Sequence, residues 1–343
     1  MKKLFAMLLA IIVVISLTAC GTSGNESTKE NEAGTKQEKT SEDSKAKWPG
    51  SKTVNIIVPY GAGGDTDFNA RLLATKLTEK TGANFIVTNV NGNAGATGSI
   101  EAKNAANDGT TILFHHTAFL INNIYGSTDF LFDNAFDFSC VVGRSAGNII
   151  TMNANLGIKT LDDLIKYTKE HPNELKFTAN TGATTHATAL FLQQIGCEIQ
   201  LVDAGSASER IGALLGGHVD IIDNAIGTIK DYLATGELVA ICSDSDIQNP
   251  LLMKDYGIGI GKDQGYDIGL PFIYFCAFPY GTDPEIVETF SALCKDIIEN
   301  DKDYQDQLAQ AYCQEPFYYD TKEGYKVMMD AYEKLKGLDF GNK

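Results

Sequence analysis

The chain has 343 residues, of which 43% are hydrophobic and 21% are charged. This composition is too apolar for a disordered chain, lacks the glycine content of collagen, and is long enough for two domains. The 28 basic and 44 acidic residues give a formal charge of −16, and only three residues are arginine. Neutralising nucleic-acid phosphates requires many Lys and Arg side chains, so this balance argues against nucleic acid as a partner.

The first twenty residues have the pattern of an export signal. Two lysines precede an apolar stretch over residues 4–17, which is shorter than the roughly 20 residues that span a bilayer. Leu17, Thr18, Ala19 and Cys20 resemble a bacterial lipobox, which implies removal of residues 1–19 and a diacylglyceryl group on Cys20. An ordinary cleaved signal with a coincidental cysteine is the alternative. Cleavage removes both lysines and changes the formal charge to −18.

Residues 20–48 are predicted to be the lipidated cysteine and a solvated tether. Residues 21–47 contain no large apolar side chain, so this stretch has nothing to bury. Acyl chains contribute roughly 0.8 kcal/mol of membrane affinity per buried CH₂. The expected location is therefore the extracytoplasmic face of the cell membrane, with the folded part held there by its lipid.

Short strands alternate with helices in the rest of the chain. The predicted strands cover residues 53–58, 85–90, 110–114, 148–152, 176–179, 199–202, 219–222, 238–242 and 272–278. Asp67, Thr160 and Asp283 are predicted helix caps, and further helices are expected over 186–195, up to Gly216, and through 325–335. This alternation predicts an α/β fold with largely parallel sheets in two domains.

The cysteines after Cys20 show no CxxC motif and no metal-ligand spacing. Most lie in apolar segments, so they are expected to be small buried hydrophobic residues, with one disulfide as the alternative. They are Cys140, Cys197, Cys242, Cys276, Cys294 and Cys313.

Two loops between a strand and a helix could hold an anion. The first is glycine-rich and leads from Tyr60 to Thr66, and the second is rich in threonine and leads from residue 179 to His186. Amide N–H groups at the start of a helix bind anions, so two such loops across a cleft could hold a small anion without arginine. The alternatives are a tight turn in the first loop and simple helix capping in the second. A dinucleotide motif is incomplete because Thr66 stands where its third glycine belongs.

No pattern in the sequence indicates catalysis, a cofactor or a metal. Adjacent His115 and His116 on a strand point to opposite faces, so one of them lining a cleft is a better interpretation than a metal pair. A G-x-S-x-G elbow and an H-E-x-x-H motif are both missing. Asp65, Asp203 and Asp223 could be paired carboxylates, but capping or solvated aspartates are the simpler interpretation.

Several segments together resemble one known family. They are residues 57–67 with 70–74, 91–98, 105–113, the loop ending at His186, 214–220 and 223–224. Their order and spacing are similar to those of the solute-binding proteins of tripartite tricarboxylate transporters, the TctC or Bug family. The resemblance implies a two-domain α/β Venus-flytrap fold of the periplasmic-binding-protein type II class.

The resemblance also implies a cleft that holds a small carboxylate, largely through backbone N–H groups and water. The residues that would form it are Tyr60, Gly61, Ala62, Gly63, Gly64, Asp65 and Thr66 on one lip, Thr181, Gly182, Ala183, Thr184 and Thr185 on the other, and His116, Asp203, Ala204 and Asn224 on the walls. Many relatives have a Pro-Tyr-Lys-Gly-like segment where this chain has residues 203–206. That difference removes a cation and adds Asp203, which we expect to meet an ammonium, a hydroxyl or another donor of the ligand.

The expected domains are residues 49–147 with 279–343, and residues 148–278, with the chain crossing between them near 143–152 and 272–281. Closure of these domains would bury a carboxylate or amino-acid-like ligand and present one surface to the transporter's membrane subunits. The protein is expected to act as a monomer without a cofactor. A receptor for a sensor system and an enzyme acting on a small acid are the alternatives.

Overall fold

The computed structural model describes residues 48–340, and these form two five-stranded sheets. The predicted signal peptide, the lipidated Cys20 and most of the predicted tether lie outside the described residues. In chain order, the strands are β1 Thr53–Val58, β2 Asn84–Asn89, β3 Thr111–His116, β4 Phe136–Arg144, β5 Asn148–Asn153, β6 Lys176–Ala179, β7 Gln200–Asp203, β8 Ile221–Ala225, β9 Leu238–Ser243 and β10 Ile273–Pro279.

Helices follow most of the strands and cover both sheets. They are α1 Asp65–Thr81, α2 Ala96–Lys103, α3 Ala118–Tyr125, α4 Leu161–Glu170, α5 Thr184–Gln194, α6 Ala207–Leu215, α7 Ile226–Thr235, α8 Pro250–Tyr256, α9 Pro284–Asn300, α10 Lys302–Tyr312 and α11 Thr321–Leu335. Among the described residues, no helix is both long and apolar enough to cross a membrane.

The two sheets have equivalent strand orders, β2-β1-β3-β10-β4 and β7-β6-β8-β5-β9. We call each sheet with its helices a lobe; the first lobe contains β1 and the second contains β6. The strands β2, β1 and β3 are parallel, and so are β7, β6 and β8, whereas β10 and β5 run antiparallel to their neighbours. Four of the five strands in each sheet therefore run in the same direction, which confirms the prediction of largely parallel sheets, and β10 and β5 are the exceptions. The reason is connectivity, because β5 and β10 each enter their sheet directly from the other lobe.

The strand β10 lies in the first lobe. Tyr274 pairs with His116 of β3 and with Gly143 of β4, which places this strand between the two. The expected second domain, residues 148–278, would have included most of this strand. The strand β4, which was not predicted, closes the edge of the same sheet.

Each sheet has an apolar core on both faces. In the first lobe, Leu73 of α1 and Phe290 of α9 are buried on one face, while Phe119 of α3 and Met328 of α11 are buried on the other. The six cysteines of the described residues are free and buried, which confirms their expected role as small core residues.

Local signals explain most helix starts. Thr160 forms a capping box with Asp163, and the Asp283 carboxylate accepts the Glu285 N–H, as predicted for both caps. The predicted cap at Asp67 is wrong, because α1 begins at Asp65 after an extended Gly64. Asp67 therefore lies within the first turn and is free to bond to the loop before it.

Candidate functional site

Three helices begin at one cavity between the lobes. The helices α1, α5 and α6 follow the carboxyl ends of the parallel strands β1, β6 and β7, the usual place for ligands in open α/β sheets. The cavity offers about 70 Å³ to the centres of water molecules. Its lining consists of Tyr60, Gly61, Ala62, Gly64, Asp65, Thr66, Asp67, Asn91, His116, Asn148, Asn180, Ala183, Thr184, Thr185, Gly205, Ser206, Ala207, Arg210 and Phe272.

The glycine-rich loop of the first lobe is held by Asp67. The carboxylate of this residue accepts the Gly63 N–H at 3.0 Å and an Asn89 Nδ2–H at 2.8 Å, and it forms an ion pair with Arg71. Burial acts to raise the pKa of Asp67, but these hydrogen bonds outweigh it and leave the pKa below its ordinary value. Gly63, with a φ of 88°, uses its N–H inside the loop, and it does not line the cavity.

Asp65 occupies the start of α1 and faces the cavity. One of its carboxylate oxygens accepts the Tyr274 hydroxyl proton, and the amides of Thr66 and of Asp65 itself contribute further hydrogen bonds. Burial still raises the pKa of Asp65, partly opposed by those bonds and by the charge of Arg210. We predicted a positive helix end at this lip, but a carboxylate lies over it.

The first backbone N–H groups of the threonine-rich loop in the second lobe are already hydrogen-bonded within the protein. The N–H groups of Asn180, Thr181 and Gly182 donate to Thr185 Oγ1, Asp203 Oδ1 and His186 Nδ1 at 2.9, 3.3 and 3.2 Å. Thr181 and Gly182 consequently support the loop and are not among the lining residues. The first-turn N–H groups of Thr184 and Thr185 have no acceptor within α5, as at any helix start, and both residues line the cavity.

Arg210 provides a cation that we did not predict at this site. It lies in the first turns of α6, only 8% exposed, and lines the cavity. Its Nε–H donates to Asn224 Oδ1 at 2.7 Å and its Nη1–H to the Gly205 carbonyl at 2.8 Å. Burial lowers the pKa of Arg210, opposed chiefly by Asp223, yet a guanidinium remains charged in proteins. The cavity that we expected to lack arginine therefore has one in its lining.

The three predicted wall residues of the second lobe are bonded to other parts of the protein. Asn224 holds Arg210 and donates from Nδ2 to the Ala207 carbonyl at 3.0 Å, so it positions the guanidinium. Asp203 accepts the Thr181 N–H, and the Ala204 N–H donates to the Ala179 carbonyl. None of the three is among the lining residues.

An aromatic stack forms another wall. The His116 ring stacks on Tyr60 and on Phe272, with ring centroids 4.7 and 4.3 Å apart. Burial holds the pKa of His116 well below its ordinary value, so the ring is neutral. Its Nδ1 accepts the Ala118 N–H, which assigns the ring proton to Nε2. As expected, His115 does not line this cavity, and it stacks on Phe275 instead.

A buried carboxyl pair lies near the base of the cavity. Asn148 donates its backbone N–H to Asp244 Oδ1 at 2.7 Å and its Nδ2–H to Asp223 Oδ2 at 3.3 Å. The Thr188 hydroxyl donates to Asp244 Oδ2 at 2.8 Å. Burial raises the pKa of Asp223 to about 6 and that of Asp244 well above its ordinary value. The pair therefore retains a proton at a pH where ordinary carboxyl groups have lost theirs.

Sequence reasoning missed part of the lining. The missed residues are Asp67, Asn91, Asn148, Asn180, Ser206, Ala207, Arg210 and Phe272. Only Arg210 had a usable signal, because a cation in the first turns of a helix opposes the helix dipole and so calls for another role. Among the described residues, no group of His, Cys, Asp and Glu side chains is arranged to hold a metal ion.

Comparisons with known proteins agree with this architecture. A UPF0065 protein of Cupriavidus necator is 25% identical over 298 residues, covering 84% of this chain and 86% of the relative. Two solved structures from Rhodopseudomonas palustris have similar folds. One, solved with adipate, has a TM-score of 0.76 at 22% identity, covering 85% of this chain and 99% of that protein. The other, MatC with bound malate, has a TM-score of 0.73 at 18% identity, covering 83% and 97%.

The family comparison covers most of the folded chain. The model described as the tripartite tricarboxylate transporter family receptor matches residues 69–338, which include β2 to β10, the start of α6 and nearly all of α1. The chain therefore belongs to the receptor family of tripartite tricarboxylate transporters.

Proposed function

We propose that this protein binds a small carboxylate-bearing solute in the cavity between its lobes and delivers it to the membrane subunits of a tripartite tricarboxylate transporter. One observation carries the proposal, namely that Arg210 and the N-termini of α5 and α6 meet at a single cavity. A guanidinium and free helix N–H groups both favour a carboxylate. The two Rhodopseudomonas palustris neighbours, solved with adipate and malate, support the same ligand class.

The size of the cavity limits the ligand. A water molecule needs roughly 10–15 Å³ on this measure, so 70 Å³ corresponds to about five to seven waters. A metabolite with a handful of non-hydrogen atoms fits such a space, and larger ligands would require the lobes to separate further. We therefore expect a compact acid.

The chain connections suggest how the ligand is enclosed. The chain passes between the lobes at residues 145–147 and again just before Ile273, and the Ser145 N–H donates to the Phe272 carbonyl between these two crossings. We propose that the lobes are domains that close about these crossings, the first ending at Arg144 and resuming at Ile273. A ligand that contacts both lobes favours the closed state by its differential affinity.

Calorimetric titration of the purified protein tests the binding proposal. Small mono- and dicarboxylates are titrated beside their primary amides, such as succinate beside succinamide, because the amides keep the shape and lose the charge. At least one acid should bind, and its amide should bind at least about 30-fold more weakly, since an unpaired buried charge costs about 2 kcal/mol or more. Equal binding of acids and amides, or no binding of any acid, would contradict the proposal.

Two further measurements test the role of the protein as a receptor. The bound ligand should be recovered unchanged after long incubation, as mass spectrometry can establish, and product formation would instead indicate an enzyme. Uptake of the labelled ligand by cells should require both this protein and the transporter's membrane subunits. Uptake should also fall after Cys20→Ala, because we propose that Cys20 carries the lipid that holds the receptor at the extracytoplasmic membrane face.

A further inference from the structure

The first lobe presents a negative charge to the cavity. The Asp65 carboxylate lies at the first residue of α1, where its own amide and that of Thr66 bond to it. The N–H groups at the start of α1 therefore already bond to a carboxylate of the protein and are not available to a ligand anion. Tyr274, which is fully buried, donates its hydroxyl proton to the same carboxylate and fixes its position.

The second lobe presents positive charge to the same space. Arg210 lines it together with the first residues of α5 and α6, so a guanidinium and two helix N-termini lie on this side. The carboxylate of Glu209 is turned away, because it accepts the Ser206 N–H within the capping box. Asp223 lies behind Arg210, is fully buried, and is not a lining residue.

The two charges influence each other without pairing directly. Arg210 lowers the pKa of Asp65, and Asp65 raises that of Arg210. Nevertheless, Asp65 and Arg210 do not form an ion pair with each other; the two side chains appear together in none of the ion pairs of the described residues 48–340. The cavity is lined by both residues, so a ligand there lies between a half-buried carboxylate and a buried guanidinium.

We infer that the ligand is a small amino-carboxylate, with its carboxylate at Arg210 and the N-termini of α5 and α6, and its ammonium at Asp65. This inference rests on the proposed function and names the ligand class of the same site. A dicarboxylate would place its second negative charge near Asp65, whereas an ammonium there would compensate the half-buried carboxylate. Asp65 is thus assigned as the residue that selects amino acids over plain acids.

The other acidic residues near the site are committed to different partners. Asp67 is paired with Arg71 and holds the glycine-rich loop. Asp203, which we had expected to meet a ligand donor, accepts the Thr181 N–H and lies outside the cavity lining. Asp65 is the lining carboxylate of the first lobe that keeps no cationic side chain in contact.

The test compares amino acids with their des-amino partners by calorimetry on the purified protein. All proteinogenic amino acids and γ-aminobutyrate are screened beside matched acids, for example alanine with propionate and aspartate with succinate. The inference expects an amino member to bind at least about tenfold more tightly than its partner. In Asp65→Asn, affinity for the amino member should fall at least about 30-fold, as for a broken buried charge pair, while affinity for the plain acid stays level or rises.

Asp231→Asn is the matched control, because it removes an exposed carboxylate of α7 that is not part of the cavity lining. Both ligand classes should bind this variant within about threefold of the original protein. Retained binding of plain acids by Asp65→Asn also establishes that the variant is folded. If plain acids bind best, or if Asp65→Asn binds amino acids unchanged, the inference is wrong while the carboxylate-receptor proposal stands. If neither class binds, the proposed function itself fails.

Discussion

The two lobes have the same strand order but present opposite charges to the cavity between them. In the first lobe, the helix after the parallel strand β1 begins with Asp65, whose carboxylate covers the helix end. In the second lobe, α5 has no acidic residue in its first turn, the Glu209 carboxylate of α6 is bound within its capping box, and Arg210 lines the cavity. The shared topology places helix N-termini at the cavity in both lobes. A single side chain in the first turns then decides whether that end attracts an anion or a cation.

One glycine in a helix of each lobe gives a second comparison, between a crowded and an open position. In the first lobe, Gly98 of α2 lies so close to the glycine-rich loop that an added Cβ would be 2.8 Å from Pro59 Cα. In the second lobe, Gly212 of α6 has open space where a Cβ would be. The α2 backbone at Gly98 therefore packs directly against the residue that leads into the glycine-rich loop, whereas α6 has room for a larger side chain at Gly212.

The largest expected effect comes from removing the positive charge of Arg210 in the second lobe. Arg210→Gln should weaken binding of the carboxylate ligand by roughly 2–5 kcal/mol, because the ligand charge would then be buried without its partner. Calorimetric titration measures this loss. Lys166→Gln, which removes an exposed charge from α4 of the same lobe, is the control and should leave affinity unchanged. Unchanged affinity in Arg210→Gln would show that the positive charge of the second lobe does not hold the ligand carboxylate.

A second test adds a methyl group at Gly98, the crowded position of the first lobe. In Gly98→Ala the new methyl group would lie 2.8 Å from both Pro59 Cα and the Val90 carbonyl oxygen, and neither backbone atom can move freely. We expect the free energy of unfolding to fall by about 1–3 kcal/mol, as for other overpacked sites. Urea unfolding measures it. Ligand affinity should fall as well, because Pro59 leads into the loop that lines the cavity, and unchanged stability would contradict the close packing.

A third test concerns the buried carboxyl pair of the second lobe. The pKa of Asp223 is raised to about 6 and that of Asp244 is raised well above its ordinary value, chiefly by burial. The folded state therefore holds protons that the unfolded state releases from about pH 4. The resulting stabilisation is complete below pH 4 and is lost as pH rises through 6 and beyond.

Asp244→Asn mimics the protonated partner and cannot lose that proton. Its free energy of unfolding should match that of the original protein near pH 4 to 5 and exceed it by about 1–2 kcal/mol at pH 8, at roughly 1.4 kcal/mol per pKa unit. Urea unfolding across this pH range provides the measurement. Parallel curves for Asp244→Asn would contradict the shared proton.

The smallest expected effect tests the open side of α6. Gly212→Ala adds a methyl group with no atom within 4 Å and gives the helix interior a better helix-forming residue. The free energy of unfolding should rise by about 0.5–1 kcal/mol. Thermal or urea unfolding can measure this gain beside the loss in Gly98→Ala. A destabilised Gly212→Ala would indicate that the two lobes are equally constrained at these glycines.

Elements with local signals were predictable from the sequence. The strand Thr53–Val58 has its predicted bounds, and the helices after Thr160 and Asp283 have their predicted caps. The signals suffice because a capping hydrogen bond joins residues only two or three positions apart. The strand Phe136–Arg144 was missed, and the direction of β10 was not predicted, because both depend on pairing with strands that are distant in sequence.

The candidate site shows the same division. Both loops were predicted from their small residues between a strand and a helix, and ten of the sixteen predicted binding residues line the cavity, namely Tyr60, Gly61, Ala62, Gly64, Asp65, Thr66, His116, Ala183, Thr184 and Thr185. Arg210 was missed because its role depends on Asn224 and the Gly205 carbonyl, which hold its guanidinium at the cavity. The small number of arginines in the chain therefore did not indicate that one of them lines the cavity.

The sequence by itself determined the alternation of strands and helices, the two loops and most of the helix caps, because these depend on residues close together in the chain. Only the tertiary structure decided which amides remain available, since Asp67 uses the Gly63 N–H and Asp203 uses the Thr181 N–H. It also decided the sign of each side of the cavity, by placing Asp65 and Arg210 on opposite lobes. The physical reason is that hydrogen-bond competition and charge act through space, between groups that the chain brings together only on folding.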